Sequence, residues 1–284
     1  SNIVLTAGSD AAIRHAFELF VNPGDRVITL TPTFAMVDVY CELYRATRIA
    51  ISYSQDLVLD LEGLLNNMGP SASLVVLANP NSPTGTYIAH PDLEKILEKA
   101  QPDGVPVLVD EAYYGFCKQT ALPFCQKYNN LMITRTFSKA AGLAGLRIGY
   151  VVAGEELAQL LYKFKPMYEI NSIAVLAAME ILDNLQTVED DYLNRTEEGR
   201  EYLIQLLTEM NIAFRDTYAN FIHIDFVQNK EEALREFEER GVLVGRGLPI
   251  QGYENYLRIT LGPAEAMVPV GEVIKKFKNA VRAI

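Results

Sequence analysis

Short apolar runs and longer amphipathic stretches take turns along the first 150 or so residues. NIVLT (2–6), RVITL (26–30), RIAISY (48–53), SLVVLA (73–78), VPVLVD (105–110), LMITRT (131–136) and LRIGYVV (146–152) are short and largely aliphatic. Most are bounded by Gly, Pro, Asn or Asp, and the pattern predicts strands. Between them, AAIRHAFELF places apolar residues at 12, 13, 16, 17 and 20, the spacing of one helix face. MVDVYCELY, DLEGLLNNM and HPDLEKILEKAQ also read as helices, the last with Pro91 in its first turn. Strands that are almost wholly apolar, alternating with helices, predict a mostly parallel sheet covered on both faces.

The pattern changes after about residue 155. A long helical stretch is predicted from Glu155 to Met210, and its acidic segment VEDDYLNRTEEGRE reads as a solvated helix face. NFIHIDF, KEEALREFEERG, GVLVGR and NYLRITL then read as strand, helix, strand, strand. The organisation expected is a large domain over 1–165, a helical connection continuing to about 200, and a small C-terminal α+β domain over 200–284.

Composition narrows the function classes. A net charge of -11 argues against a nucleic-acid or anionic-membrane partner, both of which need a dense basic face. Cys41, Cys117 and Cys125 form no CxxC pair, which fits a reducing, cytoplasmic setting. His15, His90 and His223 lack metal-ligand spacing, and no apolar run has the length to span a bilayer.

In open α/β sheets ligands bind beyond the carboxyl ends of the strands, so the strand exits carry the candidate chemistry. The first strand leaves into AGSD at a helix start, where Ser9 and Asp10 are either an N-cap or part of an anion nest. The second leaves into TPTF, where Phe34 either stacks on a flat ligand or joins the core. Asn79, Asn81 and Ser82 crowd the turn NPNSPTG. Asp110 ends a buried strand and needs a cation, from a nearby Lys or Arg or from a protonated ring nitrogen. Tyr113, three residues on, either contacts that ligand or packs.

In TRTFSKAAGLAGLRIGYVV, Lys139 and Arg147 are two long cations among small residues. A desolvated lysine is a nucleophile able to form a Schiff base, whereas an ordinary surface lysine merely lays its stem on the protein. A nest and an arginine suit a phosphate, an aspartate suits a pyridinium, a phenolic oxygen suits an amide or tyrosine, and a lysine suits an aldehyde. Pyridoxal 5′-phosphate makes all of these demands together. No GxGxxG follows the first strand, which argues against a nicotinamide-binding domain.

The motifs AGSD (7–10), PTF (32–34), NPNSPTG (79–85), DEAYYGF (110–116), TRTFSKAAGLAGLRIGY (134–150) and YLRITLG (256–262) resemble, in order and over nearly the whole chain, the class I/II aminotransferases of fold type I. The histidinol-phosphate aminotransferase branch is the most similar. The resemblance implies an α/β three-layer large domain with a mostly parallel sheet and a smaller C-terminal α+β domain. It also implies an N-terminal segment, absent from this sequence, that would complete the small domain and reach a partner subunit. The chain would then be part of a homodimer acting on small amino and oxo substrates, or one domain of a longer polypeptide.

By the same resemblance Lys139 binds pyridoxal phosphate and shuttles protons, Asp110 pairs with the ring nitrogen, and Tyr113 contacts the ring oxygen. Phe34 stacks on the ring. The backbone of Ser9 and Asp10, with Ser138, Arg147 and Thr136, cradles the phosphate. Arg258 takes the substrate carboxylate, and Arg246, twelve residues earlier, resembles an arginine that holds a distal phosphate. Three departures stand out: Phe34 replaces the usual tyrosine, Ser82 stands where the asparagine for the ring oxygen is usual with Asn81 one place earlier, and Gly245 is an extra residue beside Arg246. A decarboxylase or lyase of the same fold, or an inactive cofactor-fold module, are the alternatives.

Overall fold

A computed structural model describes residues 2–277. The chain divides into two compact units, Ser1–Asn184 and Leu185–Ile284. The first comprises β1 (Ile3–Thr6), α1 (Gly8–Phe20), β2 (Arg26–Thr31), α2 (Ala35–Leu43), β3 (Thr47–Ser52), α3 (Leu61–Asn67) and β4 (Ala72–Ala78). It continues with α4 (His90–Ala100), β5 (Val107–Asp110), β6 (Leu131–Thr136), β7 (Gly149–Ala153), α5 (Glu155–Phe164) and α6 (Ser172–Asp183).

Its seven strands form one sheet in the order β1-β7-β6-β5-β4-β2-β3. The pairs from β3 across to β6 are parallel, while β7 runs antiparallel to both β6 and β1. Strand side chains alternate between faces. Val27, Leu74, Val76, Leu108, Met132 and Val151 meet Ala12, Ile13, Ala16 and Phe17 of α1, Val37 and Tyr40 of α2, and Leu161 of α5. The alternate set, including Ile28, Val75, Leu77, Val107, Val109 and Ile133, is equally buried on the opposite face. Burial on both faces is what near-continuous apolar strands require, and the three-layer α/β expectation holds.

The direction of β7 decides the site. Because it is reversed, its first residue lies at the same edge as the last residues of its neighbours: Gly149 pairs with Thr136 and with Thr6. The predicted strand LRIGYVV therefore starts late. Arg147 takes a left-handed backbone, φ 54°, which ends the approach loop two residues before β7 begins.

The long helix predicted over 155–210 is interrupted after Phe164. Lys165 is extended, as the residue before Pro166 is pushed to be, and the helix restarts only at Ser172, where the Asn171 side chain caps the amide of Ala174.

The second unit contains α7 (Leu185–Val188), which passes through a widened turn into α8 (Asn194–Glu209), then β8 (Phe214–Arg215), β9 (Phe221–Asp225), α9 (Lys230–Glu239), β10 (Gly245–Arg246), β11 (Tyr256–Thr260) and α10 (Ala264–Lys276). Its four strands form an antiparallel sheet in the order β10-β11-β9-β8. Leu257 and Ile259 of β11 and Ile222 and Ile224 of β9 point to one face, which packs on Leu203 and Leu207 of α8, Phe237 of α9 and Val270 and Ile274 of α10. Of the predicted strand GVLVGR only Gly245–Arg246 pairs. Among the described residues no helix has the length and apolarity to cross a membrane.

Candidate active site

Four strand exits and the entry to β7 converge on one edge of the large sheet. The exit of β1 leads straight into α1. Its N-cap is Ala7, which has no side chain to cap the helix, so Ser9 and Asp10 lie inside the first turn rather than capping it. The amides of that turn keep their positive end available. Asp10 turns its carboxylate away, accepting a hydrogen bond from the Tyr40 hydroxyl at 2.8 Å. Burial, with Asp10 beside it, holds the Tyr40 phenol above its ordinary pKa.

Arg147 brings a second positive group to this helix end. Its Nη2 donates to the Ala7 carbonyl at 3.4 Å and its Nη1 to Ser138 Oγ at 3.3 Å. Thr136 Oγ1 donates to Ser138 Oγ at 2.9 Å and accepts from the Ser138 amide at 3.1 Å. The close fit depends on two glycines. A Cβ on Gly8, whose φ is +85°, would lie 2.9 Å from Arg147 Nη2, and one on Gly149 would lie 2.8 Å from Gly8 Cα. An uncapped helix start, a guanidinium and a hydroxyl within reach of one another make an anion cradle, and a phosphate fits that donor set.

The β5 exit carries Asp110, which is 5% exposed. Thr134 Oγ1 donates to its Oδ1 at 2.7 Å, because the register of β5 and β6 sets the two residues side by side. Burial pushes its pKa up to about 6, against smaller lowering effects from the Thr134 and Ser9 hydroxyls. The next residue, Glu111, has its own cation: Arg135 Nη2 lies 2.9 Å from Glu111 Oε2. Among the described residues no lysine or arginine forms an ion pair with Asp110. A desolvated carboxylate served only by hydroxyls and an amide is suited to a cationic N–H from a ligand.

Lys139 is half-buried just beyond β6, and its Nζ lies 5.4 Å from the centroid of the Tyr113 ring. The Tyr113 hydroxyl in turn lies 3.5 Å from Ser82 Oγ. The two candidates in NPNSPTG are thereby separated. Asn81 is fully buried and spends its amide on the loop, donating to Pro32 O and Thr84 Oγ1 and accepting from Thr33 Oγ1, whereas Ser82 faces Tyr113. Phe34 is half-buried and packs against the core of α1 and α2.

The first unit thus gathers Ser9, Ser82, Asp110, Tyr113, Thr136, Ser138, Lys139 and Arg147 at one sheet edge. Arg258 and Arg246 belong to the second unit, on β11 and β10.

A family model for class I and II aminotransferases matches residues 1–274. The chain belongs to that family. It is 35% identical to the histidinol-phosphate aminotransferase of Caldanaerobacter subterraneus subsp. tengcongensis, over 93% of this chain and 74% of the relative. It is also 35% identical to histidinol-phosphate aminotransferase 2 of Carboxydothermus hydrogenoformans, over 92% of this chain and 72% of that protein. Among solved structures, histidinol-phosphate aminotransferase from Sinorhizobium meliloti in complex with pyridoxal-5'-phosphate superposes with a TM-score of 0.82 at 26% identity, covering 98% of this chain and 77% of the other. The protein is an aminotransferase with the fold-type I architecture.

Two residues of this edge escaped sequence reasoning. Thr134 becomes visible only once the β5–β6 register is known. Glu169, in the break between α5 and α6, accepts the Ala7 amide at 3.0 Å and meets His15 Nε2 at 3.0 Å, while His15 Nδ1 meets Glu18 at 3.1 Å. Burial by itself would lower the His15 pKa, but the Glu169 and Glu18 carboxylates more than reverse this and hold it above its ordinary value. No sequence signal links residues so far apart along the chain.

Proposed function

We propose that this aminotransferase binds pyridoxal 5′-phosphate covalently through Lys139 and moves an amino group between an α-amino acid or amino-phosphate compound and a 2-oxo or oxo-phosphate acceptor. The observation that carries the reading is Asp110, a buried carboxylate lifted to about 6 at the end of a central strand, with no lysine or arginine among the described residues paired to it. A ring N–H⁺ placed there would restore its charge and be held protonated in return. Bound at this edge, the cofactor supplies an electron sink for a carbanion at the substrate Cα.

The chain's own residues do the rest. Lys139 Nζ would hold the cofactor through its aldehyde carbon and, when free, its amine would take the proton from the substrate Cα. Tyr113, with Ser82 behind its hydroxyl, hydrogen-bonds the ring oxygen, and Phe34 lends its ring as a stacking surface. The amides of Ser9 and Asp10, the Ser138 hydroxyl and Arg147 hold the phosphate, with Thr136 orienting Ser138. Arg258 takes the substrate carboxylate by a two-pronged bond. The resemblance carries a homodimer and a cytoplasmic setting with it, and the three free cysteines suit the latter.

The test is to reconstitute the protein with pyridoxal phosphate, reduce it with borohydride and map the labelled peptide, then assay amino donors singly. The expected result is a visible absorption band, label on Lys139, and a 2-oxo acid formed from the donor. Label elsewhere, or carbon dioxide in place of a 2-oxo acid, would overturn it.

A further inference from the structure

The break between α5 and α6 inverts the usual pattern of burial. Met167 and Tyr168 are 81% and 91% exposed, while the side chain of Glu169, the next residue, is only 8% exposed. A carboxylate turned inward needs partners. Glu169 Oε1 accepts from the Ala7 amide at 3.0 Å, and His15 Nε2 lies 3.0 Å from the same oxygen. The other ring nitrogen, Nδ1, lies 3.1 Å from Glu18 Oε2. A neutral imidazole donates from one nitrogen only, and an ionised carboxylate only accepts. Both contacts are hydrogen bonds at once only when the ring is an imidazolium.

The charges around the ring come from three places. On α1, Arg14 Nε donates to Glu18 Oε1 at 2.9 Å, and Asp10, nearer the helix start, is taken up by Tyr40. Just past α2, the Tyr44 hydroxyl donates to Glu18 Oε1 at 2.9 Å. From the end of α5, Lys165 Nζ lies 3.9 Å from Glu169 Oε2. Histidine is the member of this set that changes charge near neutral pH. Burial works against the charged ring, but the Glu169 and Glu18 carboxylates outweigh it and hold His15 above its ordinary 6.5.

This cluster reaches the phosphate cradle through Ala7. The Ala7 amide is held by Glu169, and its carbonyl accepts from Arg147 Nη2 at 3.4 Å. Gly8 follows at φ +85°, and then the first-turn residues Ser9 and Asp10. Fixing Ala7 therefore aims both the guanidinium and the helix-start amides. A positive charge on His15 offsets the carboxylate that does the fixing. Without it, Glu169 keeps only the more distant Lys165 as a counter-charge, and its own charge bears on the neighbouring phosphate dianion.

We infer that Glu169 and the His15 imidazolium are positioning residues for the cofactor phosphate, and that the grip on that phosphate loosens as His15 loses its proton. The inference rests on the phosphate seat of the proposed function, not on the reaction performed there.

The experiment compares pyridoxal 5′-phosphate with pyridoxal, which has the same ring and aldehyde but no phosphate. Dissociation constants for both are measured from pH 7 to 9, and their ratio cancels the pH dependence of the shared parts. In the wild type the preference for the phosphate form should fall about fivefold across this range. In His15→Gln it should start about fivefold lower and stay flat. In parallel, inorganic phosphate added to the cofactor-free protein should raise the His15 pKa by about 0.7, read by NMR titration, because the same fivefold coupling is reciprocal. A wild-type ratio that is flat with pH, or a His15 pKa that phosphate leaves in place, would overturn the inference, and neither measurement needs a variant. Label at Lys139 with an unmoved His15 pKa would sink this inference alone. A phosphate-dependent His15 pKa in a protein that takes no label at Lys139 would refute the transaminase reading and leave this one standing.

Discussion

The two sheets present their polar residues by different geometric rules. On the seven-stranded sheet they come from the strand ends and the segments just beyond them: Ser9 after β1, Ser82 after β4, Asp110 and Tyr113 at and after β5, and Lys139 after β6. On the four-stranded sheet Arg258 and Arg246 are strand residues on neighbouring strands, Arg258 paired with Gly245 and Arg246 with Leu257. Strand direction decides whether loop residues meet, and a residue added within a loop alters only that loop. Register decides whether strand residues meet, and a residue added there moves a side chain through the sheet.

The largest effects are expected at the strand-end site. Lys139→Ala should lower kcat by at least about 10³-fold, since it removes both covalent attachment and the proton carrier. Single-turnover kinetics together with intact mass after borohydride reduction would check this, and retention of the label would break the assignment.

Asp110→Asn should lower kcat by roughly 10²-fold and at the same time stabilise the cofactor-free protein. The wild-type carboxyl has a folded pKa of about 6 against 3.8 when unfolded, so between those values the folded state binds more protons. Stability of the cofactor-free protein should therefore fall as pH rises from about 4 to 6, by roughly 3 kcal/mol, and Asn at 110 should flatten that slope. Urea titrations at a series of pH values measure it, and a stability that rises over this window would contradict the burial argument.

Arg258→Lys tests the mid-strand site. Replacing a bidentate fork by a point charge costs about 1.5–3 kcal/mol, so KM for the amino donor should rise roughly ten- to a hundredfold with a smaller change in kcat. An unchanged KM would remove Arg258 from carboxylate binding.

Glu169→Ala should have the smallest effect, about 1–2 kcal/mol of stability, by leaving the Ala7 amide without its acceptor. The His15 pKa should fall at the same time, which NMR titration reads directly. Because the folded His15 pKa is raised, its contribution is complete below its unfolded value and is lost as pH rises through the folded one. The variant should lose that decline above about pH 6.5.

The α/β architecture was legible because apolar runs and amphipathic helices differ in period. Asp110 and Lys139 were legible as candidates because each follows an apolar strand closely, and strand exits are where such sheets bind ligands. The break at Lys165 was signalled by Pro166 but hidden by the apolar residues on either side. Asn81 and Ser82 could not be separated by sequence, since both suit a turn; in the structure the Asn81 amide is taken up by Pro32, Thr33 and Thr84, while Ser82 faces Tyr113.

The sequence by itself determined which residues lie at the ends of strands, which helices cover the large sheet, and which chemistry those strand-end groups can support, because these follow from local period and residue type. Tertiary structure decided what meets across the chain. Reversal of β7 brought Arg147 to the start of α1, strand pairing set Thr134 beside Asp110, and the β10–β11 register turned Arg246 away from Arg258. Each of these depends on pairing between segments distant in sequence, and a register shift of one place reverses the face a side chain occupies.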